Sequence, residues 1–281
     1  MSGTLFVVAT PIGNLDDLTP RAQQTLAAVD LVAAEDTRHT RRLLITIGVK
    51  PALMALHDHN EEQAVYGLIE ALEDGKDVAL VSDAGTPLVS DPGYRLVKAA
   101  HEHGIVVVPI PGPSAVTAAL SAAGLPTDRF CFEGFAPAKR AARRQWLQGL
   151  VAEQRTIVMY ESVHRIKDCL ADLVDIFGAE RRAFIGRELT KMYEQCVQES
   201  LGRLQQLADD GEIVSKGEFA IVICGAEASA ESVLDIDSLL TELAAHLSAK
   251  DAAKVAARIS GRKKNDLYQR LLLLKEGASR S

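Results

Sequence analysis

The sequence predicts an α/β protein with a mainly parallel, doubly wound sheet, a second α/β domain and a short helical tail. Three observations carry that reading. Through residue 123, short apolar runs alternate with capped helical stretches, which is the pattern of βαβ units. From residue 130 a second α/β set follows, with spacings that permit hairpins, which leaves both a parallel and a mixed sheet open. A small, polar stretch at 226–233 then precedes three short helical segments. The expected organisation is 1–112, 113–228 and a helical tail over 235–281.

The elements follow in order. Leu5–Ala9 is an apolar strand. Thr19-Pro20 is a cap with proline at the first helical position, and opens a helix to about Ala28. Asp30–Ala34 is a strand ending in Glu35-Asp-Thr-Arg38, and Arg38–Ile47 a helix stopped by Gly48. Leu53–Leu56, Glu61–Glu73 and Asp77–Val81 read as strand, helix and strand. Asp91-Pro92 repeats the cap-plus-proline signal for a helix to His103, and Ile105–Pro109 is the next strand. Pro111-Gly-Pro-Ser-Ala115 leads into a small-residue helix to Ala123. In the second set, Phe130–Phe132, Thr156–Tyr160, Ala183–Arg187 and Glu218–Cys224 read as strands. Arg140–Ala152, Val163–Ile176 and Leu201–Ala208 read as helices. The tail helices are Asp235–Leu247, Asp251–Ile259 and Asn265–Leu274, and the Ser260-Gly-Arg262 break resembles a helix-turn-helix.

Composition narrows the class. Hydrophobic residues make up 47% and charged residues 25% of the 281 positions, which suits a globular protein with a sizeable core. No run approaches the roughly 18 apolar residues a membrane span needs. The N-terminus lacks the basic region of a signal peptide and reads as a first strand, so a cytoplasmic protein is expected. Cys131, Cys169, Cys196 and Cys224 are far apart with no C-x-x-C, as reduced thiols would be. His57, His59 and His164 have no metal-ligand spacing, and no metal is expected. Net charge is −7, yet from Lys250 onward nine cations stand against three anions. A basic face on an acidic body suggests a polyanion docked at one place.

Ligands of open α/β sheets bind outside the carboxyl ends of the strands. Four predicted strands end in loops rich in small residues: Thr10-Pro-Ile-Gly-Asn14, Glu35–Arg38, Ser82–Gly93 and Pro111–Ala115. Any one of them is ordinary turn chemistry. Together they describe a crevice. No Walker A and no G-x-G-x-x-G is present, so the loops are not a phosphate cradle. An apolar slot with close backbone approach, from Gly85, Pro87, Gly112 and Pro113, and hydroxyls from Thr86 and Ser114, suits a nucleoside without phosphates. S-adenosylmethionine has that chemistry.

The stretches "VATPIGNLDDLTPRA", "AEDTR", "SDAGTPLVSDPG", "PGPSA", "YESVHR" and "GRELTK" resemble the ribosomal RNA small subunit methyltransferase I family of the tetrapyrrole methylase superfamily. The tail "KDAAKVAARISGRKKNDLYQ" resembles that family's C-terminal helix-turn-helix segment. The likeness runs through essentially the whole chain. It implies S-adenosylmethionine-dependent 2′-O-methylation of a cytidine ribose in the decoding region of 16S rRNA, and a homodimer. It also implies a cofactor held between two α/β domains by Ala84, Gly85, Thr86, Pro87, Val89, Ser114 and Ala115, with Tyr160, Phe219 and Ala220 across the crevice. One departure stands out. Superfamily members that act on tetrapyrroles usually open with G-x-G-P-G, whereas this chain has Ala9-Thr-Pro-Ile-Gly13, so its substrate face differs.

Methyl transfer to a hydroxyl is a direct displacement, so positioning supplies much of the rate and a base would take the proton. Glu35, Asp36, Glu188 and Lys191 are candidates. Lys191 qualifies only with a depressed pKa; otherwise it is a phosphate clamp. Glu35–Arg38 also reads as an acidic helix cap paired to Arg38. Arg38, Arg41 and Arg42, then Lys139, Arg140, Arg143 and Arg144, then Arg262, Lys263 and Lys264 are three cationic clusters for RNA phosphate, or solvated faces. Trp146 is a stacking or a core residue. Two other functions compete. A tetrapyrrole-type methylase would share fold and cofactor without needing the basic tail. A nucleic-acid-binding regulator would bind the nucleoside without turnover.

Overall fold

The computed structural model describes residues 2–57, 60–227 and 236–278; His59 and most of the expected 226–233 linker lie outside them. The chain divides into two compact units, 1–225 and 226–281. Among the described residues, no helix is long and apolar enough to cross a membrane.

The first sheet is built from β1 (Thr4–Val8), β2 (Leu31–Ala34), β3 (Ala52–Ala55), β4 (Val78–Val81) and β5 (Val106–Ile110). Its order is β3-β2-β4-β1-β5 and every pairing is parallel. Successive side chains of a strand point to opposite faces. On β4, Val78 and Leu80 therefore join one core and Ala79 and Val81 the other. Helices α3 (Glu61–Glu73) and α4 (Tyr94–Glu102) cover the first face through Leu68, Leu72 and Leu96. Helices α1 (Pro20–Ala28) and α2 (Thr37–Thr46) cover the second through Leu26 and Leu44. Parallel strands buried on both faces need continuous apolar runs, as in "VALV".

The caps follow the sequence with one exception. The Thr19 hydroxyl accepts from the Ala22 N–H at 3.1 Å, and Asp36 caps α2. Asp91-Pro92 does not cap α4. The helix starts two residues later, behind Gly93 at φ +120°, and Glu61 Oε1 on α3 accepts from the Gly93 and Arg95 N–H groups at 3.1 Å each. A carboxylate 30 positions upstream takes over the role, which leaves Asp91 free of it.

The second sheet comprises β6 (Phe130–Phe135), β7 (Thr156–Ser162), β8 (Arg182–Arg187), β9 (Gln195–Ser200) and β10 (Glu218–Ile223). Its order is β6-β7-β10-β8-β9, with only β6–β7 parallel. Of the two arrangements the spacings leave open, the sheet is the mixed one. Strand β9, "QCVQES", is not expected from the sequence: it is an edge strand, half exposed, and carries no apolar run. Helices α6 (Arg140–Leu150), α7 (Ile166–Phe177) and α8 (Leu201–Asp209) pack on one face. Helix α5 (Ala115–Ala122) packs on the other through Val116, Ala119 and Leu120. Both sheets belong to the single unit 1–225.

In the other unit, α9 (Ile236–His246), α10 (Ala249–Ser260) and α11 (Lys264–Ala278) enclose a small core of Ile236, Leu240, Ala252, Ala253, Ala256, Leu267 and Leu271. Ser248 caps α10, and Gly261 ends it in the left-handed conformation, φ +69°. The Arg270 guanidinium on α11 donates to Asp237 on α9 at 2.8 Å.

Candidate active site

A cavity of about 450 Å³ lies between the two sheets of the 1–225 unit, within the range of small-molecule sites. The first sheet contributes the loops at the carboxyl ends of its strands. These loops are tied to one another. Thr10 and Gly85 exchange backbone hydrogen bonds of 2.8 and 3.0 Å, and the Thr86 hydroxyl donates to the Pro113 carbonyl at 3.0 Å. The Asp36 N–H donates to Asp83 Oδ1 at 3.1 Å, and the Asp83 N–H to Glu35 Oε2 at 3.3 Å. Two strand ends are thereby locked together by their own carboxylates.

The second sheet closes the opposite side. Tyr160 on β7 packs against Phe132 and Phe135, with ring centroids 4.9 and 5.4 Å away. Burial, with the charge of Asp91, pushes the Tyr160 phenol up to about 12. Ile12 and Val89 of the first half join the same apolar cluster as Tyr160 and Leu189. The halves also touch through their loops, where the Asn14 N–H donates to the Thr190 hydroxyl at 3.0 Å. Gly13 is required there: a Cβ would collide with Lys191 Cγ. Gly85, at φ +85°, has the left-handed backbone that favours glycine, and a Cβ on it would stand 3.3 Å from Ile12.

Backbone strain gathers at this cavity. Among the described residues the non-glycine positive φ values are Leu88 (72°), Ser90 (68°), Glu188 (50°) and Thr190 (67°). All four fall in the two loops flanking it. Each costs on the order of 1–3 kcal/mol and persists only where surrounding structure over-determines it, typically at ligand sites.

Of the residues singled out by sequence, Glu35, Ala84, Gly85, Thr86, Val89, Ser114, Ala115, Tyr160, Lys191, Phe219 and Ala220 line the cavity. Ser114 begins α5 without spending its hydroxyl on a cap. Pro87 is buried behind the wall rather than on it. Asp36 is not on the wall either; it caps α2 and holds Arg38, which keeps its carboxyl well below the usual range. Glu188 sits just behind Lys191. The Lys191 ammonium donates to Glu188 Oε1 and Glu218 Oε2, both at 2.9 Å. Burial pulls this ammonium down, but the two carboxylates outweigh it and hold the pKa above its ordinary value. Lys191 thus lacks the depressed pKa that a neutral base requires. Burial raises Glu188, but the Lys191 hydrogen bond, the Glu218 N–H and the charges of Lys191 and Arg187 together outweigh it and hold the carboxyl below its usual range. Sequence reasoning missed Asp83, Asp91, Phe135, Leu189 and Glu218 on the wall. Asp83 and Asp91 are both within the Ser82–Gly93 loop, so their signal was present but read as turn and cap.

The cationic clusters separate. Arg38 is 86% exposed, and Arg41 and Arg42 are exposed on α2. Arg262, Lys263 and Lys264 are exposed at the α10–α11 break. The middle cluster is corrected. Arg143 is 2% exposed and donates two hydrogen bonds to Asp172 on α7, at 2.9 and 2.7 Å. Arg144 reaches the same carboxylate and Asp175, each at 2.8 Å, and Arg140 reaches Asp172 at 3.1 Å. Arg143 therefore ties α6 to α7 instead of facing a polyanion, while Arg144, 34% exposed, shares the tie. Trp146 packs against the second-sheet core. Among the described residues, no group of three His, Cys, Asp or Glu side chains is placed to hold a metal ion.

Comparison with known proteins adds kinship to this geometry. Residues 4–205 match the model for Tetrapyrrole (Corrin/Porphyrin) Methylases, and residues 230–275 that for the RsmI C-terminal HTH domain. Ribosomal RNA small subunit methyltransferase I of Xylella fastidiosa (strain Temecula1) is 51% identical over 267 residues, covering 95% of this chain and 98% of that one. The protein of that name in Escherichia coli O157:H7 is 51% identical over 269 residues, covering 95% and 94%. Among solved structures, uroporphyrin-III C-methyltransferase from Thermus thermophilus complexed with S-adenyl homocysteine superposes with a TM-score of 0.54. It is 18% identical, over 80% of this chain and 98% of that one, a likeness of fold.

Proposed function

The chain belongs to the ribosomal RNA small subunit methyltransferase I family, with the tetrapyrrole methylase fold, and from that premise we propose S-adenosylmethionine-dependent 2′-O-methylation of a cytidine ribose in the decoding region of 16S rRNA. The observation that carries the proposal is the cavity between the two sheets. It has an apolar lining at Ile12, Val89, Leu189 and Ala220 for a flat ring. It also has carboxylates at Glu35, Asp83 and Asp91, which suit a ligand bearing a sulfonium and an ammonium. Ala84, Gly85, Thr86, Val89, Ser114 and Ala115 would hold the cofactor from the first half, with Pro87 shaping the loop. Tyr160, Phe219 and Ala220 would hold it from the second. The cofactor supplies an activated methyl group, and the protein aligns a ribose oxygen with it and excludes water. The RNA lies within the small ribosomal subunit, met by Arg38, Arg41, Arg42 and the tail. The working form is a cytoplasmic homodimer, testable by sedimentation.

The deciding experiment uses labelled S-adenosylmethionine and small subunits from cells lacking this protein, followed by nuclease digestion and nucleoside mass analysis. Label on a cytidine ribose is the expected result. Cofactor binding without label on RNA would replace the proposal with a small-molecule methylase of the tetrapyrrole type. A simpler prediction tests the cavity. At about 100 times its Kd, S-adenosylmethionine stabilises the fold by about 2.7 kcal/mol, visible as a raised Tm. Gly85→Val places branches against Ile12 in a backbone conformation valine avoids, so a folded variant should lose that shift. A retained shift would move the cofactor elsewhere.

A further inference from the structure

If the acceptor is a ribose hydroxyl of a small-subunit RNA, as proposed above, its nucleotide must leave the base stack to reach a cavity. Leaving the stack costs free energy, which an aromatic side chain of the protein can offset by stacking on the displaced base. Such a ring must stand on the cavity wall, with a face open to solvent, and outside the lining that the cofactor needs. Phe135 meets all three conditions.

Strand β6 is irregular at one point. Phe132 pairs with Val158 and Phe135 with Tyr160, so three steps along β6 match two along β7. The extra residue makes a bulge, and Gly134 supplies the left-handed backbone for it, φ +65°. A regular strand would point Phe135 to the face opposite Phe132. That face is covered by α6, α7 and α8, and a phenylalanine there would join the core. The bulge turns Phe135 to the cavity side instead, where it stands on the wall and stays 55% exposed. Its ring meets Tyr160 at 5.4 Å between centroids and 60° between planes, a tilted contact that leaves a ring face open. Gly134 also faces the other half of the chain, since a Cβ on it would stand 3.4 Å from the Ser90 hydroxyl oxygen. The ring is thus held at the mouth, where the Ser82–Gly93 loop meets β6.

We propose that Phe135 receives the base of the acceptor nucleotide by stacking, and so sets its ribose over the methyl group. The cofactor's own ring has a buried lining in Leu189 and Ala220, 8% and 4% exposed, and does not need a half-open ring at the mouth. The second flat group that must enter the same cavity is the target base. Stacking tolerates any base, so Phe135 fixes position and leaves base identity to other contacts. Docking and base entry are separate steps. Exposed cations on phosphate set the first, and the stack sets what fraction of docked subunits has the base in place. Loss of the ring therefore acts on the saturated rate and leaves docking alone.

The test compares wild type with Phe135→Tyr, Phe135→Leu and Phe135→Ala. It reads Tm, cofactor affinity by calorimetry, and single-turnover methylation at saturating labelled S-adenosylmethionine over a range of small-subunit concentrations. Leucine keeps apolar bulk against Tyr160 but has no flat face. Phe135→Leu and Phe135→Ala should lower the saturated rate by about 10- to 100-fold, the range that one base–aromatic stack is worth. Their cofactor affinity and half-saturating subunit concentration should stay within about threefold of wild type. Phe135→Tyr should keep the rate, and Phe135→Leu should keep Tm within about 2 °C, because the site is more than half exposed. A Phe135→Leu variant that methylates like wild type overturns the proposal, since apolar bulk would then suffice. So does a weakened cofactor affinity in that variant, which would give the ring to adenine. So does a raised half-saturating concentration with an unchanged saturated rate, which would make Phe135 a docking contact. A wild type that puts no label on ribose overturns the acceptor reading and the proposal with it. Ribose label with an unaffected Phe135→Leu overturns only the role of Phe135.

Discussion

Asp172→Ala is expected to destabilise the fold by about 3–5 kcal/mol, the cost of leaving a buried charge without its partner. The Asp172 side chain is fully buried and accepts from Arg140, Arg143 and Arg144 at once. Arg140 and Arg144 are partly exposed and can turn to water. Arg143 cannot, since it is 2% exposed. Against a typical total of about 5–15 kcal/mol, the loss is a large fraction, on the order of 10 °C in Tm. The pH dependence has a definite sign. Burial raises the Asp172 carboxyl, but the three guanidinium hydrogen bonds outweigh it and hold it below its ordinary value. A depressed folded-state pKa gives stability that is present above the ordinary carboxylate range and is lost as pH falls through the lowered value. Asp172→Ala should therefore narrow the stability gap to wild type in strong acid. Replacing Arg143 and Asp172 together by apolar residues should recover much of the loss, because the unpaired charge goes with the pair. A Tm within about 2 °C of wild type for Asp172→Ala alone would show that the cluster is not a structural tie.

That cluster also marks where sequence reading stops. "RAARR" has the same cations whether they meet RNA or a carboxylate, and the deciding residue, Asp172, is about 30 positions away. Glu61 replaces Asp91 as the α4 cap from a similar distance, and the polar edge strand β9 exists through its pairing with β8. Each is a long-range pairing that local pattern does not encode. What was legible is local or periodic. The run "VALV" marks a strand buried on both faces, and Thr19-Pro20 a helix start. The loop Ser82–Gly93 is legible as a candidate site because it follows a buried strand, though the left-handed backbone at Leu88 and Ser90 is not marked by local pattern. The two misread carboxylates, Asp83 and Asp91, are the costliest omissions, since both stand on the cavity wall.

Reversing Arg262, Lys263 and Lys264 to glutamate is expected to weaken binding to the small subunit by at least about 10²-fold, with cofactor affinity unchanged. The expectation rests on charge distribution. The whole chain carries −7, so its acidic remainder repels a polyanion, and productive approach depends on a local basic face. Each phosphate contact contributes roughly 0.7–0.9 to the logarithmic salt slope. Losing three should flatten the slope by about 2–3. All three side chains are exposed, outside the tail core of Leu240, Ala253 and Leu267, so the tail itself should keep its helicity. Arg270 provides the contrast, because it is tied to Asp237 and its loss should act on tail packing first. In kinetics, the triple variant should raise KM for the subunit while the saturated rate stays near wild type, since the cavity proposed for methyl transfer belongs to the 1–225 unit. An unchanged KM and salt slope would remove the tail from RNA recognition and leave Arg38, Arg41 and Arg42 on α2 as the cations to test next.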